Sequence, residues 1–210
     1  MRIYLNAGHS IEERGGYGGG QKENEKTMDL CSIVANLLRI QGFEVLEVPD
    51  KLKLRESINW VNRYVVDYKR DIAISLHFNA HSNPGISGTE VFYYIKENTN
   101  EKASVLSERV SNALGIRNRG AKPDTWAFTG LLGWLRLTQC ASFLIEVSFL
   151  TSPEDMRRYD SKKAAQGILL GIQAISNTDE EITNLRQQIV SLKRQVIELL
   201  WFIIAKWKGR

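Results

Sequence analysis

Cysteine is nearly absent: the chain of 210 residues has two, Cys31 and Cys140. They form no disulfide framework, and neither has the paired spacing of a zinc–thiolate site. Cys31 falls in an apolar helical pattern and Cys140 beside a strand, so both read as buried free thiols. The opening residues MRIYLNAG lack the apolar stretch and small-residue cleavage site of a secretory signal, so the expectation is synthesis in the cytoplasm without a signal peptide. The longest apolar run, LLWFIIA at 199–205, is far short of the roughly 20 residues that a membrane-spanning helix needs. There is no G-x-x-x-x-G-K-[ST] phosphate loop, no internal repeat and no low-complexity segment. Charge is only mildly unbalanced, at +4. That excess suits contact with an anionic polymer such as nucleic acid, cell wall or membrane surface without choosing among them.

What is present is globular composition, 43% hydrophobic and 25% charged. Short apolar runs predict strands at Ile3–Asn6, Phe43–Val48, Ile72–His77, Thr89–Ile95 and Phe143–Val147. Amphipathic patterns predict helices near Glu25–Ile40, Lys53–Tyr68 and Glu101–Leu114, and a fourth beginning at SPED. There Ser152 suits the N-cap, Pro153 the first helical position, and Glu154 and Asp155 the positive end of the helix. Apolar strands alternating with amphipathic helices argue an α/β fold with a parallel sheet. Thr89–Ile95 alternates less cleanly and suits an edge or antiparallel strand. The expected organisation is one domain over 1–176, a short polar linker and helix cap at 177–181, and a separate helix over 182–210.

Histidine is scarce too, with three in the chain. His9 follows the first strand across the small-residue turn Asn6-Ala7-Gly8. His77 closes the strand DIAISLH, and Glu146 ends SFLIEV. Ligands of open parallel sheets bind outside the carboxyl ends of the strands, so these three side chains are expected to converge. The Gly-rich loop GGYGGGQKENEK leads into a helix whose first turn offers a carboxylate, Glu23 or Glu25. Two imidazoles and one carboxylate form a ligand set for catalytic zinc with an open position for water. A buried glutamate such as Glu146, its pKa raised by burial, suits general acid–base work beside it. The residues alone leave alternatives open. A histidine at a strand end is often a hydrogen-bonded structural group, and helix-start glutamates are often solvated.

Five segments in order, YLNAGH, ENEKTMDL, DIAISLHFNA, SGTEVFYY and FLIEVSFLTSPEDMRRY, resemble the zinc-dependent N-acetylmuramoyl-L-alanine amidase family, in its type-3 catalytic domain. The resemblance spans nearly all of residues 1–176. It implies a twisted, mainly parallel sheet flanked by helices. It implies Zn2+ held by His9, Glu25 and His77, with Glu146 as the catalytic base and then acid. Glu25 is selected over Glu23 because the family's carboxylate precedes a lysine and an apolar helix. The resemblance also suggests substrate contacts for Asn79 and for Arg136, the latter with a carboxylate of the stem peptide. The implied partner is bacterial peptidoglycan rather than nucleic acid. The implied activity cleaves the amide between N-acetylmuramic acid and L-alanine. Without a signal, a phage endolysin released through a holin-type route is the expectation, with a host autolysin or an inactive wall-binding module as rivals. Ser10 departs from the glycine usual after the first histidine.

Beyond Ile175 the pattern changes. TDEE at 178–181 reads as a capping box. Ile182, Leu185, Ile189, Leu192, Val196, Leu199 and Ile203 then follow in 3-4 spacing, a heptad seam. Val190, Ile197 and Ile204 add a second stripe. The favoured cover for this face is another copy of the chain, making a homo-oligomer, ahead of packing on the chain's own domain or membrane contact.

Overall fold

A computed structural model describes the backbone of residues 1–97, 99–127 and 130–208, with the side chains of 178–183, 186 and 199–208 outside that description. The chain divides into two compact units, Met1–Ile172 and Gln173–Arg210. The first is a six-stranded sheet with helices on both faces. Its strands are β1 (Arg2–Ala7), β4 (Glu44–Glu47), β5 (Ile72–Asn79), β6 (Thr89–Tyr93), β7 (Asn118–Pro123) and β8 (Ala141–Phe149). They lie in the order β4-β1-β5-β8-β6-β7. The first four are mutually parallel. β6 runs antiparallel to β8 and parallel to β7. The expected parallel sheet is thus present, and the less regular segment at Thr89 is antiparallel but not an edge.

Period-two alternation sets the character of each face. One face carries Ile3, Leu5, Ile72, Ile74, Leu76, Phe143, Ile145 and Val91, all buried. Against the sheet lie α1 (Glu23–Ile40) and α3 (Asn100–Leu114). The start of α6 (Ser161–Lys208) lies against α3. A Cβ at Gly167 would stand 2.8 Å from the Arg109 carbonyl and the Val110 Cα, so α6 approaches α3 this closely only because glycine is there.

The opposite face changes along the strands. Tyr4, Ala73, Leu144 and Phe92 form an apolar cluster with Ile58 and Val61 of α2 (Leu54–Tyr64) and with Trp134 and Leu135 of α4 (Gly133–Leu137). Two residues further along β1, β5 and β8 the same face carries Asn6, Ser75 and Glu146, and then His77 on β5. The core side of the sheet therefore becomes polar at its carboxyl edge, which is where the site forms.

Three of the departures from expectation follow from context along the chain. The Gly-rich loop contains a hairpin, β2 (Tyr17–Gly18) and β3 (Gln21–Lys22). Its turn residues Gly19 and Gly20 have φ of +56° and +76°, the paired positive values of a type I′ turn that glycine adopts without strain. β7, reading NRGAKP, has no apolar alternation; it is half-exposed on the sheet margin, with Gly120 at φ +80° beside a register shift. The break expected at 177–181 is not there: the backbone of α6 is helical without interruption from Ser161 to Lys208. Polar residues of moderate helix propensity did not outweigh propagation between two helical flanks. α5 (Pro153–Arg158) begins as expected, with Ser152 Oγ accepting from the Asp155 N–H.

Candidate functional site

The first strand ends in a tight turn. Gly8 is followed by His9, which has φ +67° and is the one non-glycine residue in the left-handed region among the described residues. Such a conformation is strained in a residue with a Cβ and needs surrounding structure to hold it. Thr27 Oγ1 donates to the Gly8 carbonyl at 2.9 Å, and Asn24 Nδ2 donates to the Ser10 and Ile11 carbonyls. The start of α1 thus holds the turn, and the turn delivers the imidazole over the end of β5.

There His9, His77 and Glu23 meet. His9 Nε2 lies 3.0 Å from Glu23 Oε2, and His77 Nδ1 lies 2.9 Å from Glu23 Oε1. One ligand atom from each falls within 4.8 Å of the others. The imidazole rings stand edge to face, with centroids 5.2 Å apart. Glu23 is 4% exposed. Its carboxylate also accepts from the Gly16 N–H at 2.6 Å and the Phe78 N–H at 3.1 Å. Burial pushes the Glu23 carboxyl up, but hydrogen bonds from His77 and His9 outweigh it and hold it well below the ordinary carboxylate range. The hydrogen bond to Glu23 raises His9 despite its burial.

Glu25, the carboxylate expected here, does not join the cluster. Its side chain is 64% exposed and pairs with Lys22 Nζ at 2.7 Å. α1 begins at Glu23, two residues before the expected start. Two residues correspond to about 200° around a helix, so Glu23 and Glu25 face opposite ways. The Glu23 N–H bond to the Gly16 carbonyl, at 3.0 Å, closes the hairpin onto the helix start and turns Glu23 inward.

His77 is oriented from behind. Its Nε2 lies 3.1 Å from Ser75 Oγ, which accepts from Asn6 Nδ2 at 2.9 Å. A metal on Nδ1 would require the ring proton on Nε2, where Ser75 receives it, the outer-shell pattern typical of metal-bound histidine. Two glycines make room. A Cβ on Gly8 would stand 2.5 Å from His77 Cε1, and one on Gly15 2.5 Å from His9 Cδ2 and 2.7 Å from Glu23 Oε2. Two imidazole nitrogens and a carboxylate, converging and held from outside, fit a divalent metal of zinc's chemistry.

Glu146 lies on β8 opposite His77. Its Oε2 is buried with no partner. Burial, then the nearby charges of Glu23 and Glu90, raises its pKa well above the ordinary value. A buried carboxyl oxygen without a hydrogen-bond partner among the described residues is costly and marks a group awaiting something else.

The two residues suggested for substrate contact diverge. Asn79 lines a cavity of about 530 Å3 with Glu146 and donates to Glu90 Oε1 at 2.9 Å. Arg136 is engaged elsewhere: its Nε pairs with buried Asp124 and its guanidinium lies over the Tyr94 ring at 5.1 Å. It does not line that cavity. Glu90, not among the expected site residues, carries the same sequence signal as Glu146: a glutamate inside an apolar strand, TEVFY.

Residues 3–174 match the family described as N-acetylmuramoyl-L-alanine amidase. The chain is 26% identical over 176 residues to the N-acetylmuramoyl-L-alanine amidase LytC of Bacillus subtilis, covering 79% of this chain and 34% of that protein. It is 26% identical over 190 residues to the endolysin of Bacillus phage SPP1, covering 83% of this chain and 66% of that one. It therefore spans about a third of LytC and about two thirds of the phage protein. Its fold is similar to that of an N-acetylmuramoyl-L-alanine amidase from Clostridium difficile, with a TM-score of 0.72 at 22% identity, covering 82% of this chain and 95% of that one.

Proposed function

The chain belongs to the N-acetylmuramoyl-L-alanine amidase family, and from that premise we propose that it is a zinc-dependent peptidoglycan hydrolase of endolysin type. It cleaves the amide between the lactyl group of N-acetylmuramic acid and the L-alanine of the stem peptide. The observation that carries this reading is the convergence of His9, Glu23 and His77 beside Glu146, whose Oε2 is buried without a partner among the described residues. The likeness to a phage endolysin supports the biological setting.

His9 Nε2, His77 Nδ1 and Glu23 would hold the metal, with Glu23 in the role the sequence reading gave to Glu25. When bound, such a metal polarises a carbonyl oxygen and lowers the pKa of adjacent water. Glu146 takes the proton of the attacking water as the water oxygen bonds to the carbonyl carbon. It then delivers that proton to the nitrogen as the C–N bond breaks; the peptide departs as a free amine, and the second proton of the water leaves the new lactyl carboxyl group as it ionises. A raised pKa helps the second step, because a weaker acid holds the proton until the amine can accept it. Ser75 and Asn6 keep His77 in the tautomer this requires.

The tail would act by self-association. In the described part of the seam, Leu185, Ile189, Leu192 and Val196 are each more than half exposed on a continuous helix. The seam's Ile182, Leu199 and Ile203 have side chains outside the described residues, as do Leu200, Trp201, Phe202 and Ile204 beside it. Among the described residues no helix is long and apolar enough to cross a membrane.

Digestion of defined muropeptides followed by mass spectrometry tests the activity. Products carrying free N-acetylmuramic acid and a new L-alanine amine are expected. Cleavage within the glycan or between stem residues, or no cleavage, overturns the reading.

A further inference from the structure

Beside Glu146 lies a charged cluster that hydrolysis itself does not use. Glu90 sits opposite Glu146 in the antiparallel pairing of β6 with β8 and is 3% exposed. A carboxylate so buried needs compensating charge, and it has more than it needs. Arg119 Nε and Lys122 Nζ, both from β7, lie 2.5 Å from the same oxygen, Oε2. One carboxylate oxygen therefore holds two cations, and Arg119 also interacts with the charge of Asp155. Each cation remains about a fifth exposed, and both line the cavity of about 530 Å3 that also contains Glu146 and the exposed Trp126. The Arg119 guanidinium lies over the Phe149 ring at 5.0 Å, which fixes its plane.

The chemistry of the cut says which part of the substrate enters this cavity. A proton donor must reach the leaving nitrogen, and that nitrogen belongs to the peptide. Glu146 lines this cavity, so the peptide leaves on this side. A neighbouring cavity of about 340 Å3 adjoins His9 and His77 and is walled by Leu52, Leu54, Leu132 and Trp134, which suits the uncharged acyl side. Neighbouring strands are about 4.8 Å apart. The cations reach over Glu90 from a strand two places away, so they stand roughly 5–10 Å from Glu146. An extended peptide advances about 3.3–3.6 Å per residue.

Resting on the amidase reading above, we propose that this cavity is the stem-peptide subsite. Lys122, with Arg119, binds a carboxylate on the peptide within about three residues of the scissile amide, and so makes the enzyme selective for acidic over amidated stems. Glu90 is a positioning residue: it holds both cations at the cavity wall, and because Arg119 also interacts with the charge of Asp155, Lys122, which shares the Glu90 oxygen with Arg119, is the cation offered to the substrate.

The test compares two soluble N-acetylmuramoyl tripeptides that differ only at the second residue, one with a free carboxylate and one with it amidated. Wild-type enzyme should favour the free acid by about tenfold or more in kcat/KM, expressed mainly in KM, as expected for one charge-assisted hydrogen bond. Lys122→Gln should bring that ratio towards one. Arg119 still pairs with Glu90 in this variant, and a melting curve checks that it folds. Independently of any variant, the wild-type preference should shrink between about 0.1 M and 1 M salt, as screening shortens from about 10 Å to 3 Å. Equal cleavage of both peptides by wild type overturns the subsite and leaves the amidase reading intact, as does a preference that survives both Lys122→Gln and salt. Cleavage of neither peptide overturns the amidase reading, and the subsite with it.

Discussion

Replacing Glu23 by glutamine separates the two carboxylates of the helix start. The Glu23 carboxylate takes four contacts, from His9, His77, and the N–H groups of Gly16 and Phe78, at 2.6–3.1 Å. A glutamine offers one oxygen in place of two. It can accept from Gly16 or from Phe78, and its NH2 then faces the other N–H donor. A buried donor left without an acceptor costs about 1–3 kcal/mol. In a chain of this size that lowers the melting temperature of the metal-free protein by roughly 2–12 °C. The effect on metal is larger. Outer-shell partners of metal ligands alone are worth about 10–100-fold in affinity, so loss of a ligating carboxylate should cost at least that. Glu25→Gln is the control: it removes one exposed ion pair with Lys22, and exposed pairs contribute little. Both variants would be titrated with zinc against a competing chelator and melted without metal. Wild-type zinc affinity in Glu23→Gln, or its loss in Glu25→Gln, would refute the assignment.

Three further outcomes are expected. Glu146→Gln should keep the metal and lose about 10²–10⁴-fold in kcat; a loss of only a few-fold, read by steady-state hydrolysis of a soluble muropeptide, would show that another group moves the proton. Asp71 is pushed up by burial but held below its ordinary value by the N–H groups of Arg2, Asp67 and Val66. A lowered carboxyl stabilises the fold above its unfolded pKa, about 3.9, and that stability drains away as pH falls through the folded value. Asp71→Asn should therefore melt lower than wild type at pH 7, by a margin that narrows below about pH 3.9; a margin independent of pH contradicts the linkage. Finally, Leu185→Glu with Leu192→Glu should convert an oligomeric full-length chain to a monomer, as followed by light scattering, while a wild-type chain already monomeric removes self-association as the role of the seam.

Much of the fold was legible because its signals are local. The alternation in β1, β5 and β8 follows from the period of a strand, and a sheet buried on both faces needs apolar residues at nearly every position. A histidine or glutamate interrupting such a run is conspicuous for the same reason, which is how His9, His77 and Glu146 stood out. Where the signal was not local, sequence was silent or pointed elsewhere. The residues of β7 have no strand character of their own; they pair because β6 offers an open margin. Thr178–Glu181 looks like a helix start in isolation, yet a helix already running through it needs no new nucleus. The choice between Glu23 and Glu25 depends on the rotational phase of α1. That phase is set by where the β2–β3 hairpin closes onto the helix, through the Glu23 N–H bond to the Gly16 carbonyl and the space left at Gly15. Composition brings two carboxylates to the helix start, and only the packed turn decides which of them faces the histidines.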